Sequence, residues 1–201
     1  KGSPLEYNGA MGVSCLGVAA SGNQLAFIQW LLKEHKRSFS VEDLSIALVL
    51  AVKESNVDVC EYLFKHGALL CVKGEQNRSP LLIAAANGSL EIVQWILKHG
   101  GDLNEVDTEG NSCLHLATLA GDEELVSWLV EKKRFPLEAQ NNAGQTALHC
   151  TVFPDVHPAL LKYLIKQGAN EKATDNDDKT PKQYLIDMDM EDNYDYYVFH
   201  G

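Results

Sequence analysis

Three features of the amino-acid sequence predict an all-α solenoid of stacked helix-turn-helix units. The first is an internal repeat: IALVLAVKESNVDVCEYLF from Ile46, SPLLIAAANGSLEIVQWIL from Ser79, SCLHLATLAGDEELVSWLV from Ser112 and TALHCTVFPDVHPALLKYLI from Thr146 share one pattern. The second is its spacing, which is 32 from Ser14 to Ile46, 33 from Ile46 to Ser79 and from Ser79 to Ser112, and 34 from Ser112 to Thr146 and from Thr146 to Thr180. The third is that each copy holds two short apolar stripes of helical period, too few residues to bury an apolar side without a neighbour. Such units stack into an open-ended array, so function is expected on a surface.

Taken in chain order, an extension at 1–8 precedes a single array over 9–190 and an acidic-aromatic tail at 191–201. Approximate repeats run over 9–40, 41–73, 74–106, 107–140 and 141–174, with a partial one at 175–190. Between the first two, KEHKRSFSVEDLSIAL offers no glycine turn, whereas Ser40 followed by Asp43 has the spacing of a helix cap. The first helix of the second repeat is therefore expected to start early, with its protruding turn short or missing.

In the third repeat Pro80 suits the first position of a helix, where a backbone donor would be unpaired anyway. Leu81, Ala84 and Ala85 then face the stack, and Gly88 allows the turn into a second helix beginning near Leu90. Leu90, Val93, Ile96 and Leu97 supply the thick layer of that helix, and Gly100 stands at an exit that needs positive φ. Trp30, Trp95 and Trp128, with Tyr62 and Tyr163, occupy one column of the second helices, and repetition at one register reads as core packing.

In the fourth and fifth repeats Ser112-Cys113-Leu114-His115 matches Thr146-Ala147-Leu148-His149, preceded by the turns DTEGN and NNAGQ with Gly110 and Gly144 in register. The exit KHGGDLNEVD follows the third repeat. These motifs resemble the ankyrin repeat: a turn, a TPLH-like opening, two antiparallel helices and a GADVN-like exit. The resemblance covers roughly residues 9 to 187. It implies an ankyrin-repeat solenoid whose β-hairpin-like turns protrude. It also implies that His115 and His149 bond between one repeat's opening and the next repeat's turn. FPDVHP at Phe153–Pro158 replaces the tight turn of the fifth repeat, and the partial last repeat suits a terminal cap.

Other readings of these residues are weaker. With a net charge of −11, the 201-residue chain disfavours phosphate backbones and anionic lipid, and 45% hydrophobic with 22% charged content suits a water-soluble domain. KEHKR at Lys33 to Arg37 reads as a solvated helix exit. No apolar run is long enough to span a bilayer and no secretory signal is visible, so a cytoplasmic setting is expected, with the nucleus as an alternative. The five cysteines lack a CxxC pair, and four of them read as small core hydrophobes. Asp175-Asn176-Asp177-Asp178 fails as a calcium loop, because Lys179 takes an oxygen ligand's place and Ile186 the glutamate's. It aligns as another turn, with Asp178 in the glycine position. His66 and His99 are placed to meet the last carbonyls of their helices. No catalytic constellation, metal site or cofactor site is expected.

The resemblance places partner binding on the concave side. Turn tips there carry Glu75, Gln76, Arg78, Thr108, Glu109, Asn111, Asn142, Gln145, Asn176, Asp177 and Lys179, and first-helix ends carry Lys53, Glu54, Asn87, Leu119 and Phe153. Leu119 and Phe153 either anchor a partner side chain or cover the loop beneath them. The expected function is that of a monomeric, non-enzymatic protein-interaction module, part of a scaffold or adaptor. Its partner is a protein or peptide with basic residues beside an apolar anchor. Two alternatives are a regulatory domain within a larger enzyme or channel, and a substrate of a protein asparaginyl hydroxylase acting at Asn104. The tail, with Tyr194, Tyr196, Tyr197, Val198 and Phe199, either folds back or forms a recognition segment.

Overall fold

The computed structural model describes residues 14–35, 39–152 and 156–188. The N-terminal extension, residues 36–38, Phe153 with residues 154 and 155, and the tail lie outside these residues. The chain divides into two compact bodies, one ending at Asp102 and one beginning at Leu103.

The N-terminal body contains three helix pairs. They are α1 (Cys15–Ser21) with α2 (Leu25–His35), α3 (Val41–Lys53) with α4 (Val57–Lys65), and α5 (Pro80–Ala86) with α6 (Leu90–Lys98). First helices lie side by side, α1 on α3 and α3 on α5, and α4 lies on α6 in the second layer. Alanines permit the close first row: Ala20, Ala47, Ala51, Ala84 and Ala85 are fully buried there. The second layer is filled by Ile28, Leu31, Val59, Leu63, Ile92, Val93 and Ile96. Ile92 is thus a core residue, while Leu90 and Leu97 are only half-buried.

The C-terminal body contains α7 (Cys113–Leu119), α8 (Glu123–Glu131), α9 (Ala147–Cys150), α10 (Pro158–Lys166) and α11 (Pro181–Asp187). Here α7 packs on α9 and α8 on α10, around Leu114, Leu116, Ala117, Leu125, Val126, Leu129, Leu148, Leu160, Leu161 and Leu164. Among the described residues the β-structure is a single bridge, Val106 to Ser112.

Local chemistry explains the helix boundaries. Ser79 and Ser112 side chains cap α5 and α7, and Pro80 and Pro181 occupy first-turn positions. The early start of the second repeat is confirmed: Ser40 N donates to Asp43 Oδ2 at 2.8 Å and Asp43 N donates to Ser40 Oγ at 3.1 Å. This reciprocal cap lengthens α3 to 13 residues, against seven in α5 and α7. Gly88 and Gly121 turn between helices at φ 67 and 71, and Asn23 and Ser55 take the same place at φ 53 and 57.

The aromatic column is not a common core. Trp95 is 9% exposed and donates its indole N–H to Glu61 Oε2, with Phe64 edge-on at 5.7 Å. Trp30 is 50% exposed and stacks on Phe27, itself 45% exposed. Trp128 is half-buried with Lys133 Nζ 5.0 Å above its ring. The reason is register. In α2 the buried stripe is Ile28, Leu31 and Leu32, and Trp30 lies two residues, roughly 200°, from Ile28. At the edge of the stripe, burial depends on which neighbour reaches across, and α4 reaches Trp95.

Candidate functional site

In the C-terminal body the protruding turns form three fingers built on one device. Asp107 Oδ1 accepts from Glu109 N and Asn111 N, Asn141 Oδ1 from Ala143 N and Gln145 N, and Asp175 Oδ1 from Asp177 N and Lys179 N, all at 2.9–3.0 Å. A short polar side chain bonding the backbone ahead of it fixes such a turn without a neighbouring strand. Each finger then docks on the one before. Asn142 N donates to Glu109 O at 2.9 Å and Asn142 Nδ2 to Thr108 O at 3.0 Å. One repeat later Asn176 N donates to Ala143 O at 2.9 Å and Asn176 Nδ2 to Asn142 O at 2.8 Å. Gly144 makes this approach possible: at φ 76, a Cβ there would lie 2.8 Å from Asn176 N. Asp178 holds the matching position at φ 57, as its place in the turn anticipates.

Two histidines brace the finger bases. His115 Nδ1 accepts from Ser112 N and meets Ser112 Oγ at 2.7 Å, and its Nε2–H donates to Gln145 O at 2.9 Å. His149 repeats this with Thr146 and with Lys179 O at 3.1 Å. These bonds require the neutral Nε2–H tautomer. Burial, the largest influence, holds both imidazoles below their ordinary pKa despite the carbonyl partners, which pull the other way. Tyr184 locks the last finger by donating to Asp175 Oδ2, and Gln145 Nε2 donates to Tyr184 Oη at 3.3 Å.

The residues predicted on the tips separate into groups. Thr108, Glu109, Asn142, Asn176 and Asp177 are exposed, with the amides of Asn142 and Asn176 engaged between fingers; Gln145, Lys179 and Leu119 are half-buried. Asn111 is a correction. It is 2% exposed, its Nδ2 donates to Asp107 and Glu109 and its Oδ1 accepts from Asn141 Nδ2 at 2.9 Å. As the last residue before the Ser112 cap it turns inward and becomes a strut between fingers. Phe153 lies outside the described residues.

In the N-terminal body Glu75, Gln76, Arg78 and Asn87 come together around one hollow of about 250 Å³. Its walls are Val49, Leu50, Ile83, Ala86 and Gly74, with Lys53 at the rim. The turn above it closes through Gly74 N to Arg78 O at 2.8 Å, and Gln76 and Asn77 are consecutive left-handed residues at φ 54 and 56. Asn87 Nδ2 donates to Lys53 O at 2.6 Å, tying α5 to the end of α3. Val49, Leu50, Gly74, Ile83 and Ala86 were not singled out from the sequence. Column comparison gives the missing signal: Gly74 stands where Asp107, Asn141 and Asp175 stand, and Val49 where His115 and His149 stand. Smaller residues stand at both positions.

A family model for ankyrin repeats, in three copies, matches residues 68–139 and 114–196. The chain belongs to the ankyrin-repeat family. A comparison with curated proteins gives no significant match. The matched ankyrin segments take in the fingers and the histidine-braced openings, and begin within the second repeat. Ankyrin repeats generally mediate protein–protein interaction.

The buried nucleophiles of this ankyrin-repeat chain are unsuited to chemistry. Desolvation pushes the thiols of Cys60, Cys113 and Cys150 up to about 12. Next to Cys150, both ring nitrogens of His149 are committed to Thr146 and Lys179. His66 and His99 hold Tyr62 O and Trp95 O at 2.8 Å, the helix-end role expected of them. Among the described residues no helix is long and apolar enough to cross a membrane.

Proposed function

We propose that this chain is a non-enzymatic protein-interaction module, of the scaffold or adaptor kind, that holds a peptide segment or folded partner on its finger tips and first-helix ends. The observation that carries this reading is the finger architecture. Bonds within and between fingers fix the backbone, so that Thr108, Glu109 and Asp177 offer exposed side chains at set spacing with no folding cost on binding. The exposed tips Glu109, Asp177 and Asp178, in a chain of net charge −11, favour a partner with Lys or Arg, and the half-buried Leu119 favours an apolar residue beside them. A reducing, cytosolic or nuclear setting accords with cysteines that form no disulfide among the described residues.

The test is a pulldown with the isolated chain, followed by Glu109→Lys with Asp177→Lys and, separately, Leu119→Ala. The dominant partner should be lost in both variants while far-UV circular dichroism is unchanged. A partner retained by both would refute the placement of binding on these fingers.

A further inference from the structure

We propose that the exposed aromatic face of α1 and α2 is a second docking surface, which receives an amphipathic helix from a partner protein. The helix it fits carries a glutamate that accepts from the Trp30 indole and, three positions later, an aromatic or aliphatic residue that lies on Phe27 and Val18. This goes beyond the finger surface and does not rest on binding there.

Register argues first. The residue three positions before the aromatic column is Phe27, Val59, Ile92, Leu125 and Leu160 in successive second helices. The last four are at most 1% exposed, against 45% for Phe27. Phe27 and the exposed Val18 line one hollow of about 420 Å³ with Cys15, Ala19, Gly22 and Gln24. Phe27 also stacks on Trp30, ring centroids 5.8 Å apart, and among the described residues nothing accepts from the Trp30 indole N–H. Three large apolar side chains left open side by side mark an interaction surface, which singly scattered ones would not.

The chain itself shows what closes this column. Trp95 donates to Glu61 Oε2 of the second helix before it, α4, and Phe64, three residues after Glu61, meets the indole edge-on. Lys65, and after it the Trp95 indole, hold the Glu61 carboxyl below its ordinary pKa, so the acceptor is an ionised carboxylate. In the C-terminal body Tyr163, in the same column, donates to Glu131 Oε1 of α8 at 3.2 Å. Twice, then, this column meets a glutamate on the preceding second helix. Trp30 is the member that no described helix precedes. A partner helix with the Glu61–Phe64 spacing supplies to Trp30 what α4 supplies to Trp95. A second copy of the chain fits less well. Its last second helix among the described residues, α10, carries Lys162 in the column of Glu61, so that two donors would meet.

The experiment adds a side-chain-stapled helical peptide of the α4 sequence Val57–Lys65 to the isotope-labelled chain and follows the Trp30 indole N–H resonance, assigned with Trp30→Phe. The resonance should move saturably. Glu61→Gln in the peptide should weaken binding about fivefold, and Phe64→Ala about tenfold. Against the Trp30→Phe chain the Glu and Gln peptides should bind alike, because the donor is gone. A resonance unmoved at about 1 mM peptide, or a Glu61→Lys peptide that binds as well as the parent, would overturn the proposal. So would a resonance that moves on diluting the chain alone, which would make the occupant a second copy. A resonance that a soluble paramagnetic agent fails to broaden would overturn it too, since the face would then be covered by the chain's own terminal residues. None of these outcomes bears on the fingers.

Discussion

Replacing Gly144 by alanine should damage the C-terminal body out of proportion to one methyl group. Two costs combine. The residue sits at φ 76, where an alanine costs about 1 kcal/mol relative to glycine. Its Cβ would also press on Asn176 N at 2.8 Å, which must retreat and weaken the bonds Asn176 makes to Ala143 O and Asn142 O. At about 0.5–1.5 kcal/mol for each bond, the sum is about 2–4 kcal/mol. Equilibrium urea unfolding followed by circular dichroism would measure it. The control is Asp178→Gly in the same column, at φ 57, where relieved strain and a freer unfolded chain roughly cancel and the change should stay within about 0.5 kcal/mol. A Gly144→Ala variant within about 0.5 kcal/mol of the parent would refute the docking of finger on finger as a source of stability.

The two unlike tryptophans give a second comparison: Trp95→Ala should cost about 3–4 kcal/mol in urea unfolding and Trp30→Ala under about 1 kcal/mol, since only the first is enclosed. Equal losses would contradict the assigned register of α2. Ser40→Ala should cost about 1 kcal/mol and lower helicity at the start of α3, because the hydroxyl that accepts from Asp43 N and donates to Asp43 Oδ2 is lost, while the backbone N–H of residue 40 keeps its bond to Asp43. Acid should weaken the C-terminal body through His115 and His149. Their folded-state pKa lies below the ordinary 6.5, so the unfolded chain binds more protons between the two values. The stability they contribute is fully present above pH 6.5 and falls as pH drops through that window toward the depressed folded values. Urea midpoints at pH 7.5 and 5.5 should therefore differ less in a His115→Gln, His149→Gln chain than in the parent.

What was legible in the sequence is what the backbone demands of residue type. Serine caps, proline at first turns, glycine between helices, Asp178 in the left-handed region and the Ser40–Asp43 pair each answer a local conformational need, so each marks its element without neighbours. The linking histidines were legible through resemblance, and their bonds form as implied. Burial at the edge of a stripe is another matter. Trp30 and Trp95 share a column but not an environment, because α4 covers Trp95, whereas among the described residues Trp30 is half exposed and stacks on the likewise exposed Phe27. Asn111 was misplaced because asparagine serves equally as a solvent-facing tip and as an internal strut, and only the positions of Asp107 and Asn141 distinguish them. The hollow was hidden for a different reason. It is left by small residues, Val49 and Gly74, at columns that later repeats fill with larger polar ones, and hydrophobic periodicity does not register that loss of size.

The central claim is that partners meet the fingers and first-helix ends. Hydrogen–deuterium exchange of the chain alone and with a bound partner tests it most directly. The account predicts added protection at 74–87, 108–111, 142–145 and 176–179, with α4, α6, α8 and α10 unchanged. Protection confined to those second-layer helices would contradict it.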